Sequence, residues 1–506
     1  MQDGGLPVAS SLTPVSTPVP LSDVPAQPVA ITSESTAHTD QLNKKTRITT
    51  RAREYAGAEL ARRAGVPFEV FRTWKVVWTD REMIYEIPGP IPKRISFPLA
   101  SPRLMERLRQ GQGSAVHAKW MGANKPPLVE EDLTVPFVNN DSVSGHPLFR
   151  LVDGNHVECL LDLPLTTLLT LCRWEETLDS SSDVHDRFVT SQGIAARNGF
   201  LDRPIVDEYG LALEQALQAL IPIWSRSQRV GRVKFSMDVD HVGIPFNWKH
   251  ALRHTTHYRT PVDSGRDLLG WLCKTETPNI RAVREAIELS MDSGLNTAVY
   301  WKASPPGPRD SGYDPLDPRV RQVIDSLLRS GIECGVHPGY MTFRSPERLR
   351  REIAVLREVL GDGPVGGRQH YLRWCPDTWI HWERCGLSYD SSVGFHDHIG
   401  FRAGTCIPYR PWLLSLNRRA DLLEIPLIAM DRSLLAYMRL TPEDALSVLT
   451  QCLARCRAVG GVFSTLWHND ALLDPAYRAV YLELLSMCSG LENYDWCADD
   501  WERASA

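Results

Sequence analysis

Five short segments between residues 235 and 470 of this 506-residue chain each end an apolar run on a residue type able to do catalysis or bind a metal. Asp238 and Asp240 close the first, His337 follows Glu333-Cys-Gly-Val336, and Arg368, His370 and Tyr371 follow Gly367. Asp431 ends the run from Pro426, and His468 lies in the run from Phe463 to Asp470. The apolar runs read as β-strands. When parallel strands alternate with helices, strand C-termini collect on one face, so residues distant in sequence share a site. Carboxylates, imidazoles and a guanidinium gathered there suit hydrolysis by a metal-activated water. Asp238 and Asp240 are two residues apart at a strand end and project to one side. Two carboxylates that close call for a cation, and one can bind a divalent metal while the other acts as general base. The competing reading is a pair of capping or solvated aspartates. A lone histidine such as His337 is more often structural than a ligand, but its place in the strand series favours the ligand.

The elements that must position these residues are legible from Val233 onward. Strands of five to seven apolar residues alternate with helices whose starts pair a capping residue with proline: Thr277-Pro278, Asp317-Pro318, Ser345-Pro346, Thr441-Pro442 and Asp474-Pro475. A capping oxygen satisfies a free amide of the first turn, and proline at the first helical position gives up nothing. Leu349, Ile353, Leu356 and Leu360 recur at helical spacing and predict one buried face. About seven strand–helix repeats predict a parallel sheet, as a barrel or a doubly wound fold. Asp238-Val-Asp240 stands where a dinucleotide fold would carry its glycine fingerprint, which disfavours that fold.

Upstream, residues 45–230 read as a smaller α+β domain. It has helices at Arg51–Ala64, Leu165–Leu178 and Val206–Leu220, strands at Lys75–Trp78 and Met83–Tyr85, and a turn-rich Pro88–Lys93. Residues 1–44 are rich in Pro, Ser, Thr and Val and are expected to be a disordered tail, because that composition cannot offset its ordering entropy.

As a set, the strand-end residues resemble the motifs of the NodB-type polysaccharide deacetylases, carbohydrate esterases on a distorted (β/α) barrel. Phe235-Ser-Met-Asp-Val-Asp240 resembles the family's first motif with one residue inserted between the aspartates. His337-Pro-Gly-Tyr-Met341 with Glu352 resembles the second, Arg368-Gln-His-Tyr371 the third and Leu466-Trp-His468 the last. The order covers about half of the chain and places the barrel at 231–506. Further phrases, among them Arg173-Trp-Glu-Glu176, Tyr389-Asp-Ser-Ser392 and Gly400-Phe-Arg-Ala-Gly-Thr405, are similar to a divergent subgroup with an extra N-terminal domain.

The resemblance implies Asp238 as general base, Asp240 and His337 as metal ligands, and Arg368 as the group that orients the base. It further implies Tyr371 as donor of a backbone amide to the oxyanion and His468 as the acid that protonates the leaving amine. The cofactor it implies is a divalent metal, zinc, and the substrate a carbohydrate or glycan precursor that loses an acetyl group. The alternatives are hydrolysis of another amide or an O-acetyl ester on the same fold, and a non-catalytic carbohydrate-binding or scaffold protein.

The chain departs from the family where its second motif would place another histidine, for Met341 stands there, a poor ligand for a hard catalytic zinc. His370 is two residues from Arg368 and shares its face, which makes it the candidate third ligand, with a structural imidazole as the competing reading and His241 as the competing ligand. Asp431 either orients His468 or caps a helix. His396, Asp397, His398 and Arg402 lie in a glycine-bounded loop that lines the cleft or is simply surface. Arg173, Glu175, Glu176, Asp183, His185 and Arg187 read as an ion-pair network more readily than as a second site.

Composition bounds the partners. Net charge is −5, with dispersed Lys and Arg, so neither nucleic acid nor an anionic membrane is expected. The Cys159–Cys172 stretch is interrupted by Asp162 and Pro164 and is too short for a transmembrane segment. Eleven cysteines, an odd number, contain no C-x-x-C pair. Buried thiols are expected even for Cys452 and Cys456, which implies a reducing, cytoplasmic compartment. The start of the chain carries no secretory-signal pattern.

Overall fold

The computed structural model describes residues 48–498, apart from 111, 122–125, 127–128, 139–142, 179–181, 225–229 and 244–275. The expected tail at 1–44 lies outside the described residues. Lys45–Ala506 forms one compact unit, and its main apolar cluster draws on both parts of it, from Ala52 to Cys488.

The architecture is mixed α/β. In the first part, a five-stranded sheet runs in the order Lys75–Trp78, Glu82–Ile87, Lys93–Pro98, His156–Cys159, Phe149–Asp153. The alternating burial of Glu82–Ile87 gives that sheet one apolar face. Helices Thr50–Arg63, Leu163–Leu171 and Ile205–Leu220 pack on one another. Buried Arg63 donates to Asp207 at 2.8 Å. Asp207 in turn accepts from the Cys406 amide at 2.8 Å and the Thr405 hydroxyl at 2.6 Å, which ties the helices to the second part.

One expected helix is shorter than its apolar pattern. Leu163–Leu171 stops there, and a 3-10 turn, Trp174–Thr177, follows because Arg173 takes a left-handed conformation at φ 53°. That turn sends the buried Arg173 guanidinium to Glu176 at 2.8 Å and Glu175 at 3.0 Å. Glu176 also accepts from Arg402 at 2.5 Å. The network expected from sequence therefore splits, and Arg173, Glu175 and Glu176 brace Arg402. Replacing Glu176 with alanine leaves two buried guanidiniums short of a partner, and a loss of about 3–5 kcal/mol is expected in denaturant unfolding.

The second part carries the parallel strands β1 (Arg232–Asp238), β2 (Thr297–Trp301), β3 (Cys334–Val336), β4 (Tyr389–Asp390), β5 (Leu423–Glu424), β6 (Ala429–Met430) and β7 (Val462–His468). β6, β7, β1, β2 and β3 are neighbours in that order. Single bridges from Gly367 to Val336 and Asp390 carry the parallel run to β4, which pairs with β5. Glycine is required at 367, because a Cβ there would lie 1.8 Å from the Val336 carbonyl oxygen. Register aligns the chemistry: His468 of β7 pairs with Asp238 of β1, and Asp238 with Tyr300 of β2.

Helices begin at each predicted proline. Thr277, Asp317, Thr441 and Asp474 cap them through side-chain oxygens. Ser345 differs, with its hydroxyl outside the cap. Leu349, Ile353 and Leu356 are buried as the spacing predicts, and Leu360 is half-buried. Among the described residues no helix is long and apolar enough to cross a membrane.

Candidate metal centre and catalytic cleft

A cleft of about 350 Å³ opens at the C-terminal ends of β1, β3 and β7. Asp238, Asp240, His337, His370, Tyr371 and His468 all line it. Arg368 and Asp431 lie behind it, in contact with Asp238 and His468.

Asp238 is the last residue of β1 and Asp240 stands two beyond it. One oxygen of Asp240, Oδ1, lies 3.3 Å from His337 Nε2 and 3.2 Å from His370 Nε2. Ligand atoms of these three residues all fall within 4.8 Å of one another. The other nitrogen of each ring is engaged elsewhere. His337 Nδ1 donates to the Arg368 carbonyl at 2.7 Å, and His370 Nδ1 faces Asp310 Oδ1 at 2.9 Å. Such partners fix the tautomer that leaves Nε2 its lone pair, the arrangement metal-binding histidines use. His337 Nε2 is buried and makes no hydrogen bond among the described residues. A carboxylate and two imidazole nitrogens aimed at one point are a donor set that suits zinc.

The electrostatics agree. Burial opposes charge on Asp240, but His370 and Lys302 outweigh it and hold the carboxyl well below its usual range. Burial and Lys302 oppose charge on His370, yet Asp240 and Asp310 prevail and raise its pKa. Burial lowers that of His337 despite the neighbouring aspartates. The cluster attracts positive charge, and one of its imidazoles stays neutral.

Beside it, Arg368 donates from Nη1 to Asp238 at 2.9 Å and from Nη2 to Ser236 at 2.9 Å, and from Nε to the Ser391 carbonyl at 2.9 Å. These bonds leave the guanidinium one orientation. Opposite, Asp431 accepts from the His468 backbone N–H at 2.8 Å and from Nδ1 at 2.7 Å. His468 Nε2 then faces Asp240 Oδ2 at 3.8 Å. Burial alone would lower the His468 pKa, but Asp431, helped by Asp240, pushes it up to about 9. Tyr371 and Leu372 are consecutive left-handed residues, at φ 62° and 51°. Such strain in non-glycine residues gathers at functional sites.

Met341 is half exposed and lines a different cavity from the one that holds Asp240, His337 and His370. His241 lines the cleft without joining the cluster. Glu352, on the helix after the second motif, accepts from the Gly339 amide at 2.7 Å, and burial pushes its pKa up to about 7. His396 and Arg402 are buried, and His396 meets Tyr437 of the cleft wall edge-on at 5.6 Å.

Sequence reasoning missed Lys302, Asp310 and the position of Arg187. Lys302 directly follows the end of β2, much as other site residues lie at or just past their strand ends, a signal that was present. Asp310 sits in the proline-rich loop after it, with no local mark of function. Arg187, from the first part of the chain, lines the cleft, held by Asp183 at 2.8 Å and donating to the Tyr371 carbonyl at 3.3 Å.

A family model described as a family of unknown function, DUF7033, matches residues 48–222, less than half of the chain. No curated protein matches the sequence. Solved structures resemble a little over half of the chain. One, provisionally named a polysaccharide deacetylase, from Mycobacterium smegmatis, is 16% identical with a TM-score of 0.40 over 56% of this chain and 94% of its own. A second so named, from Pseudomonas aeruginosa PAO1, is 16% identical with a TM-score of 0.37 over 54% and 89%. Puue allantoinase is 15% identical with a TM-score of 0.38 over 55% and 93%.

Proposed function

We propose that this chain is a metal-dependent hydrolase of the polysaccharide-deacetylase type. It removes an acetyl group from an N-acetylated sugar or glycan precursor, and its parallel strand run is the open, distorted barrel of that class. The observation that carries the reading is the convergence of Asp240, His337 and His370 beside an Asp238–Arg368 pair and an Asp431–His468 pair in one cleft. Those first three residues would hold the divalent ion. When bound it supplies Lewis acidity and acidifies water.

The chain's own groups do the rest. Asp238 takes the proton of the attacking water, oriented by Arg368, whose bonds to Ser236 and Ser391 leave it no other direction. Tyr371 offers its backbone N–H to the oxygen on which negative charge develops. His468 carries a proton at neutral pH and delivers it from Nε2 to the departing amine, while Asp431 holds the opposite nitrogen. Arg187 narrows the cleft from the first part of the chain.

The test is metal analysis of the purified protein with an acetate-release screen over N-acetyl and O-acetyl sugars. Acetate from N-acetyl sugars, lost on chelation and restored by metal, is the expected result. Metal-loaded protein that releases none turns the reading toward another amide.

A pH profile examines His468 separately. The acid works only while protonated, so activity should fall as pH rises through about 9. In Asp431→Asn the imidazole loses its main source of stabilising charge, and the alkaline limb should move to lower pH by about one unit or more. An unmoved limb would remove His468 from the proton transfer.

A further inference from the structure

Lys302 is an unusual neighbour for a metal-binding cluster. It is fully buried, and its Nζ lies 3.3 Å from Asp240 Oδ1 and 3.0 Å from Asp310 Oδ1. Asp240 Oδ1 is the same oxygen that His337 and His370 face through their Nε2 atoms. The lysine is also held by its main chain: its backbone N–H donates to the Tyr313 hydroxyl at 2.8 Å, and that hydroxyl donates to the Val239 carbonyl at 2.9 Å, beside Asp240. A side chain that is usually long and mobile is therefore packed in place at the ligand oxygen. Its Nζ is almost equidistant from the two nitrogens of His370, at 3.1 Å and 3.2 Å. Both lie within hydrogen-bonding distance, so the ammonium contacts the imidazole as well as the carboxylates.

We infer that Lys302 is a built-in cation that shares Asp240 Oδ1 with the divalent ion, weakens metal binding, and neutralises the Asp240 and Asp310 carboxylates when the ion is away. The inference rests on the metal-dependent reading above. An ammonium and a divalent ion drawn to one carboxylate oxygen repel each other in surroundings that screen poorly. Buried Asp310 and partly buried Asp240 would be costly to leave without either cation. Lys302 thus serves the empty cluster and opposes the filled one, so the ion is held exchangeably.

Zinc titration of the full-length protein in competition with a chromophoric chelator compares the parent with Lys302→Met and Lys302→Gln. Circular dichroism checks that each folds, and the glutamine variant, which can still donate to Asp310, serves if the methionine variant does not. Both neutral variants are expected to bind zinc at least about tenfold more tightly than the parent, as removal of a unit charge a few ångströms from the ion implies. Zinc bound by a neutral variant but not by the parent would uphold the role of Lys302 and overturn metal dependence of the parent. Affinity in the parent equal to or above that of the variants would overturn the inference and leave metal dependence standing. No zinc on any of the three would overturn both.

Discussion

Asp238→Asn is expected to lower kcat by about 10²–10⁴-fold, the usual loss when a positioned general base is removed, while zinc content stays at the parent level. The two readouts separate because Asp238 and Asp240 serve different partners. Asp238 is bound by Arg368 at 2.9 Å, whereas Asp240 faces the two imidazoles. Asparagine keeps the shape and one oxygen for Arg368 but cannot accept a proton from water. Stopped-assay acetate release and elemental analysis on the same preparation check both halves. Full activity would take Asp238 out of the mechanism, and lost zinc would make it a ligand.

His370→Ala is expected to cut zinc affinity by about 10²-fold or more, since a catalytic zinc ordinarily needs three protein ligands. His241→Ala should leave affinity within a few-fold of the parent. Sequence left these two histidines as rivals, and geometry separates them. His370 Nε2 meets the oxygen of Asp240 that His337 also faces, while His241 lies on the cleft wall outside the cluster. The measurement is a side-by-side zinc titration. Loss in His241→Ala with none in His370→Ala would transfer the ligand role. The fold-stability controls matter more for His370, because its removal also takes one partner from Asp310, at 2.9 Å, and leaves that carboxylate to Lys302 and the Tyr340 amide.

Sequence by itself determined the elements whose signals are local. The helix starts at Pro278, Pro318, Pro346, Pro442 and Pro475 were legible because a cap and a proline act within one turn, and the strands because apolar runs ending in a charged or imidazole residue are a short-range pattern. Asp238, Asp240, His337 and His468 could be nominated on the same ground, as strand ends, whereas His370, expected to share a strand face with Arg368, lies in a 3-10 turn after Gly367 and reaches the cleft that way. Tertiary structure alone decided how they combine. Arg368 meets Asp238 across 130 residues and is steered by Ser236 and Ser391, which carry no mark of their own. The Leu163–Leu171 helix stops early because Arg173 turns toward Glu175 and Glu176 and donates from its guanidinium to the carbonyl of Arg402, over 200 residues away. Asp310 joins the Asp240–His337–His370 cluster, and Arg187 the cleft, through loops with no periodicity to read. The physical reason is range: caps and periodicity act within a few residues, whereas the charge balance of a buried site depends on side chains that only folding brings together.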